Sequence, residues 1–296
     1  ITFIGRVINI TEKGMASYKR LDEVFQEKPD IQSFYEDKSL TRVSGDIEFK
    51  GLNFSYPFSK NLALKNINLK IPEGTTLGII GETASGKTTL VNLLLRLYKV
   101  DRGKITIGKR DINDYPVEVL RESIGYVPQD NILFTTTIRE SIHFSRDIYT
   151  DEEIEEATKL SHIYENIVEF PRGFDTIVGE RGVNLSGGQK QRISIARALI
   201  KDPKILILDD SLSAVDTKTE EGIINNLKEV LKDKTGIIIG HRISVVQDAD
   251  HIIVMEEGEI VEEGSHDELL AKEGVYYDIY KSQFEEVAGE LVTNEG

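Results

Sequence analysis

Apolar positions along this chain change period several times, and each change predicts an element. Over residues 1 to about 28, Ile4, Val7, Ile8, Leu21, Val24 and Phe25 are spaced to line one side of a helix, with Gly5 and Gly14 among few breakers and Pro29 as a stop. Residues 29 to 44 are polar and mixed, as in a linker. Alternation then begins with Ile47 and Phe49, Leu52 and Phe54, and later Leu62, Leu64, Ile67, Leu69 and Ile71. Broken by Gly45, Gly51, Pro57 and Gly74, it predicts short, partly antiparallel strands, the second closed by Tyr56.

Beyond residue 75 the pattern alternates between apolar runs and helical stretches. The runs Thr76 to Ile80, Ile124 to Val127, Ile205 to Leu208 and Gly236 to Ile239 read as buried strands, and Lys104 to Ile107 as a shorter one. Pro116 is placed to open a helix. From Thr137 to about Phe170 the spacing is helical, with Ile154, Ala157, Leu160, Ile163 and Ile167 on the apolar side and a capping box over Thr150 to Glu153. A further helix follows Leu185, in which Ile193, Ala196, Leu199 and Ile200 share a face. Near the end, Ile252 to Met255 and Glu259 to Val261 flank a Glu257-Gly258 turn, and a second capping box, Ser265 to Glu268, opens acidic helices. Strands alternating with helices give an α/β chain, and the helical segment about 137–200 a subdomain within it.

Composition narrows the class. With 39% hydrophobic and 29% charged residues over 296 positions, the chain reads as globular and able to bury a substantial core. It has no cysteine, which excludes disulfides and Cys-ligated zinc. A formal charge of −15 argues against a nucleic-acid partner bound through phosphate neutralisation. No run reaches the roughly 18 to 20 apolar residues of a membrane span. The opening Ile1 to Ile10 is apolar and lacks an initiator Met, so the chain is expected to be the interior of a longer product without a signal peptide.

The chemistry centres on Gly81-Glu82-Thr83-Ala84-Ser85-Gly86-Lys87-Thr88, which fits G-x-x-x-x-G-K-[ST] between an apolar strand and a helix. That context aims backbone N–H groups and a helix dipole at one point, where Lys87 reaches β- and γ-phosphates and Thr88 takes a place on Mg²⁺. Similar loops commonly carry Gly at Ala84, so the backbone there is expected to accept a Cβ. Four other features are open at this level. Gln129 lies beyond a strand end, as a rim residue or a surface one. Ser186, Gly187, Gly188 and Gln189 open a helix, as an ordinary cap or an anion site. Asp209 and Asp210 end a buried strand, compensated by a cation or solvated. His241 follows another buried strand, functional or structural.

Taken in order, the phosphate loop, Gln129, Leu185-Ser186-Gly187-Gly188-Gln189, the strand ending in Asp209, Ser213-Ala214-Val215-Asp216 and His241 resemble the nucleotide-binding domain of ATP-binding cassette (ABC) transporters over about residues 45 to 285. Thr176 to Gly182 resembles the exporter branch, and residues 1–28 the end of an exporter's last membrane helix, with 29–44 as linker and 286–296 as tail. The resemblance implies a P-loop NTPase (RecA-like) core with an antiparallel β subdomain and an α-helical signature subdomain, binding ATP and Mg²⁺. It implies adenine stacking by Tyr56 and phosphate contacts from Ser85, Gly86, Lys87, Thr88 and Thr89, beside Gly81, Thr83 and Ala84 of the same loop. Mg²⁺ would be held by Thr88, Gln129 and Asp209, and His241 would contact the γ-phosphate. Ser186, Gly187, Gly188 and Gln189 would complete the site of a facing nucleotide-binding domain, with Asp216 in communication between the two.

One position departs from the pattern. Active members usually carry Glu where Asp210 stands, and catalytic geometry tolerates only about 0.5 Å, so this chain's own site is expected to bind ATP well and hydrolyse it slowly. Such a site resembles those of heterodimeric exporters, which implies a place on the cytoplasmic face of the cell membrane, a partner that supplies the Glu, and transmembrane domains that supply the pathway. The retained His241 leaves some hydrolysis possible, and a homodimer in which Asp210 is an adequate base is an alternative. A soluble cassette protein acting on DNA or ribosomes, and a regulatory ATP-binding module without turnover, are further alternatives.

Overall fold

The computed structural model describes residues 2–31, 40–144, 148–179 and 184–293, in two units, Ile1–Gln32 and Ser33–Gly296. In the first, helix α1 (Thr2–Gln26) covers the expected helical stretch and ends short of Pro29. None of the described helices is long and apolar enough to cross a membrane.

Strands of the second unit form two sheets. In chain order they are β1 (Ile47–Phe54), β2 (Leu64–Ile71), β3 (Thr76–Gly81), β4 (Ile105–Ile107) and β5 (Arg110–Asp111). Then come β6 (Ile124–Val127), β7 (Ile205–Asp209), β8 (Thr235–Ile239), β9 (His251–Glu256) and β10 (Glu259–Gly264). The antiparallel sheet has the order β2-β1-β4-β5. The larger sheet runs β10-β9-β3-β8-β7-β6, parallel throughout except for the edge strand β10. This is the expected α/β core with an antiparallel subdomain. The two short strands expected before Pro57 are one strand, β1, whose pairing slips around Leu52, and Tyr56 lies beyond its end.

Period-two alternation places the core on both faces of the parallel sheet. Ile205 and Ile207 of β7 face a core shared with the antiparallel sheet and with helix α2 (Lys87–Leu94). Leu206 and Leu208 face the opposite way, toward helices α7 (Gly187–Leu199) and α8 (Thr217–Leu231). Helix α3 (Val117–Ser123) opens after Pro116, as expected. It also corrects a boundary: Val43 is fully buried, with its N–H on the Ser123 hydroxyl at 2.8 Å, so the end of the expected linker belongs to the domain. At the other end, the tail assigned to 286–296 is not separate. Helix α11 (Val275–Thr293) passes through that boundary, preceded by α9 (Ile243–Val246) and α10 (His266–Lys272).

The helical subdomain has its own core, built from Ile138, Ile154, Ile163, Ile167, Ile193 and their neighbours. Its helices are α4 (Ile138–His143), α5 (Asp151–Leu160) and α6 (Tyr164–Glu169), followed by α7. The capping boxes at Thr150 and Ser265 form, and Thr137 with Glu140 makes another. The subdomain is not wholly helical, because Thr137 and Ile177 form a β-bridge. Helix α7 is buried on two sides: Ile193 and Ala196 pack into the helical core, whereas Leu199 joins Ile195 in the sheet core. Its amphipathic stripe is therefore wider than one face, and α7 ties the subdomain to the sheet.

The close pairing of β3 and β9 makes one glycine indispensable. A Cβ on Gly81, at φ +152°, would lie 2.1 Å from the Met255 carbonyl oxygen in the neighbouring strand. Gly81→Ala is expected to cost about 3 kcal/mol or more, read as a lowered midpoint of denaturant unfolding.

Candidate functional site

Neighbouring parallel strands end on one rim, and this brings the scattered candidates together. Gly81 ends β3, Gly240 and His241 follow β8, and Asp209 ends β7 with Asp210 directly after it. The ladder continues to the rim, since the Gly240 N–H donates to the Ile79 carbonyl at 3.1 Å and the Asp210 N–H to the Ile239 carbonyl at 3.0 Å. Gln129 follows β6 on the same rim and donates to the Asp210 carboxylate at 3.4 Å.

Lys87 opens α2 and folds back into the loop. Its ammonium donates to the carbonyls of Gly81 at 2.7 Å and Glu82 at 2.6 Å, and to the Ser85 hydroxyl at 3.3 Å. Burial pushes its pKa down, against the raising influence of Asp209, Asp210 and Glu82. The helix start has no side-chain cap, which leaves N–H groups of its first turn for a ligand. Gly86 precedes it at φ +105°, where a Cβ would meet Leu64 and the Ala63 carbonyl. Ala84 is a correction: its φ of +68° is left-handed, so the loop does not relax to suit a Cβ but holds Ala84 in a conformation that glycine adopts more readily. Thr83 lies exposed at the tip beside it.

The Thr88 hydroxyl donates to the Asp209 carboxylate at 3.2 Å, and the Tyr126 hydroxyl approaches its other oxygen at 3.4 Å. Asp209 is only 1% exposed. Burial raises its pKa, and the bonds from Thr88 and Tyr126 oppose this without cancelling it. The Tyr126 phenol is pushed well up by burial and by Asp209. Asp210 has φ +45°, a left-handed conformation that Asp tolerates better than most residues. Asp210 and His241 line one cavity of about 300 Å³ with Ser211, Ser213 and Arg242. Tyr56 is half-buried, edge-on to Phe54 and Tyr98 at 5.1 and 5.0 Å, with its hydroxyl 2.9 Å from that of Thr89. Packing against other aromatic rings thus covers part of its own ring.

The signature turn packs against the segment that follows Asp210. Ser186 caps α7, accepting from the Gln189 N–H at 3.2 Å, while the Gln189 side chain accepts from the Ser186 N–H at 2.9 Å. Gly187 and Gly188 pack on Ala214, and a Cβ on Gly188 would sit 2.9 Å from the Ala214 carbonyl. Asp216 caps α8 by accepting from the Thr219 N–H at 3.0 Å, which lowers its pKa. Of the Thr176 to Gly182 loop, Glu180, Arg181 and Gly182 lie outside the described residues.

Several residues around the site are not singled out by sequence reasoning. Buried Gln191 donates to the Ser213 hydroxyl at 3.2 Å and accepts from the Ala214 N–H at 3.0 Å. Ser213 in turn donates to the Asp210 carbonyl at 3.0 Å. Arg242 donates to the Leu212 carbonyl at 3.0 Å and forms an ion pair with buried Glu220. The one available signal was weak: a charged residue at a buried phase of α8, which only a helix assignment for 217–231 would reveal.

A strand-loop-helix cradle with a lysine, a threonine hydroxyl and a buried carboxylate at one point defines a P-loop nucleotide site. The ABC transporter family profile matches residues 64–213, and the chain belongs to that family. It is 46% identical over 95% of its length to a probable multidrug resistance ABC transporter ATP-binding/permease protein of Bacillus subtilis. It is 42% identical over 92% of its length to an ATP-dependent lipid A-core flippase of Salmonella typhimurium. Among solved structures it matches a bacterial Atm1-family ABC exporter with ATP bound, at a TM-score of 0.88 and 34% identity over 95% of the chain. The chain spans about half the length of these relatives, 48%, 47% and 49% respectively.

Asp209 sets a pH dependence. Its folded pKa is raised above the unfolded value of 3.8, so the folded state holds its proton longer and stability declines as pH rises from that value through the raised one. Asp209→Asn removes the buried charge and is expected to stabilise the fold on the order of 1 kcal/mol at neutral pH, flattening that decline in melting curves.

Proposed function

We propose that this chain is the ATP-binding and ATP-hydrolysing domain of an ABC exporter, working on the cytoplasmic face of a membrane with transmembrane domains and a second nucleotide-binding domain. The observation that carries this is the convergence of Lys87, Thr88 and Asp209 at the start of α2. The transporter, flippase and exporter names borne by the relatives support the transport setting.

Phosphate oxygens would take over the Lys87 N–H bonds now made to Gly81, Glu82 and Ser85, so the buried ammonium stays solvated by oxygen throughout. The residues fit Mg²⁺: hard oxygen donors at a strand end, few in number, beside a polyphosphate cradle. Thr88, Gln129 and Asp209 would hold it, the last largely through water, and the ion would neutralise phosphate charge. Tyr56 would present its remaining face to adenine. Asp210 would orient the attacking water and take its proton, and His241 would contact the γ-phosphate. The signature turn would cap the ATP of a facing domain; two ATP molecules would then sit between two domains, with Asp216 beside the junction. Tighter binding of ATP to the closed pair is what would do mechanical work.

Asp210 supports a finer reading, a heterodimer in which the partner carries Glu and this site is slow. A homodimer with Asp210 as working base is favoured by the cavity that Asp210 shares with the retained His241. In the assembled transporter, Asp210→Glu is expected to raise steady-state ATP hydrolysis roughly tenfold or more if the missing methylene is the defect. An unchanged rate supports the homodimer instead. Lys87→Ala should abolish nucleotide labelling of this subunit in either case, and retained labelling would reject the site.

A further inference from the structure

We infer that Gln283, on the C-terminal helix α11, is a positioning residue for His241. Its carboxamide makes a two-point clamp on the loop that carries the histidine: Nε2 donates to the His241 carbonyl at 2.6 Å, and Oε1 accepts from the Ile243 N–H at 2.9 Å. Ile243 is the first residue of α9, so its N–H is one of the donors a helix start leaves unpaired. The carbonyl and the N–H need a donor and an acceptor at once. Among side chains of this length only Gln offers both in fixed geometry.

The clamp is held in place by packing. Ile243 and Val246 of α9 are buried with Leu269 and Tyr276, and Ile279 and Tyr280 of α11 pack on the same cluster. On the far side of the loop, Arg242 is tied to the Leu212 carbonyl and to Glu220 of α8. The segment from Gly240 to Ile243 is therefore held through its backbone by Gln283 and through the Arg242 side chain by Glu220, and His241 lines one cavity with Asp210. Gln283 fixes the pivot from which the imidazole is aimed.

This rests on the reading of His241 as a γ-phosphate contact, so the readout is the preference of this subunit for ATP over ADP, which does not depend on turnover. In the assembled transporter, photolabelling of this subunit by 8-azido-ATP is competed by ATP or by ADP, and the ratio of their affinities is measured. His241→Ala should lower that ratio about tenfold, the size of one lost hydrogen bond to a charged group. Gln283→Met should lower it about threefold or more with ADP affinity unchanged, and should cost nothing further in the His241→Ala background. Gln283→Glu keeps the acceptor for Ile243 but opposes the His241 carbonyl when ionised. Relative to the unsubstituted protein at each pH, its ratio should therefore recover as pH falls and the carboxyl can donate again. Gln283 variants with an unaltered ratio beside a damaged His241→Ala, or losses that add in the double variant, overturn the clamp. A silent His241→Ala overturns the γ-phosphate reading itself, and the clamp with it.

Discussion

A buried ammonium organises this domain. Lys87 has three N–H bonds to place, and the loop around it offers oxygens for all of them, from Gly81, Glu82 and Ser85. Left without partners, a charge in that position would cost several kcal/mol. The local backbone conformation is equally constrained. Gly81 must turn against β9 without a Cβ, Gly86 must enter α2 with positive φ, and Ala84 between them is held in the left-handed region. The loop's shape is thus the solvation shell of one cation, already arranged as a polyphosphate would require.

The carboxylates extend the same logic to the next strands. Asp209 is buried where its charge is disfavoured, yet it lies near Lys87 and accepts from Thr88 and Tyr126. Stability alone would favour a neutral group there. A site for a divalent cation and phosphate would need the ionised oxygen, and Asp209 stands at the end of β7, where it pairs with Ile239 of β8. Asp210 then leaves the strand with positive φ, which turns its side chain toward Gln129 and the cavity below His241. Neighbouring residues in sequence thereby take different surroundings.

What could be read in the sequence was what is contiguous there. The phosphate loop, the capping boxes and the buried strand runs each occupy fewer than about ten residues and carry their own periodicity or turn chemistry. Gln191, Glu220, Arg242 and Gln283 were invisible for the opposite reason. Each is an ordinary polar residue until the chain brings its partner from a distant segment, as Gln283 meets His241 from 42 residues away. Ala84 was misjudged because a motif fixes residue types and not φ. Val43 was missed because one apolar residue in a polar stretch has no period, and Leu199 because a helix packed on both sides has no single face.

A short series of contacts joins the signature turn to Asp210 inside the chain. Helix α7 begins at that turn, packs into both the helical and the sheet cores, and carries Gln191 against Ser213 and Ala214. Ser213 is bonded to the Asp210 carbonyl, and Gly188 lies against Ala214 with no room for a Cβ. A force applied at the start of α7 by a ligand on a facing surface would therefore reach the backbone of Asp210 through two side chains, without passing through the helical core. Because close-packed elements shift as units, the segment from Asp210 to Asp216 would move with the signature turn.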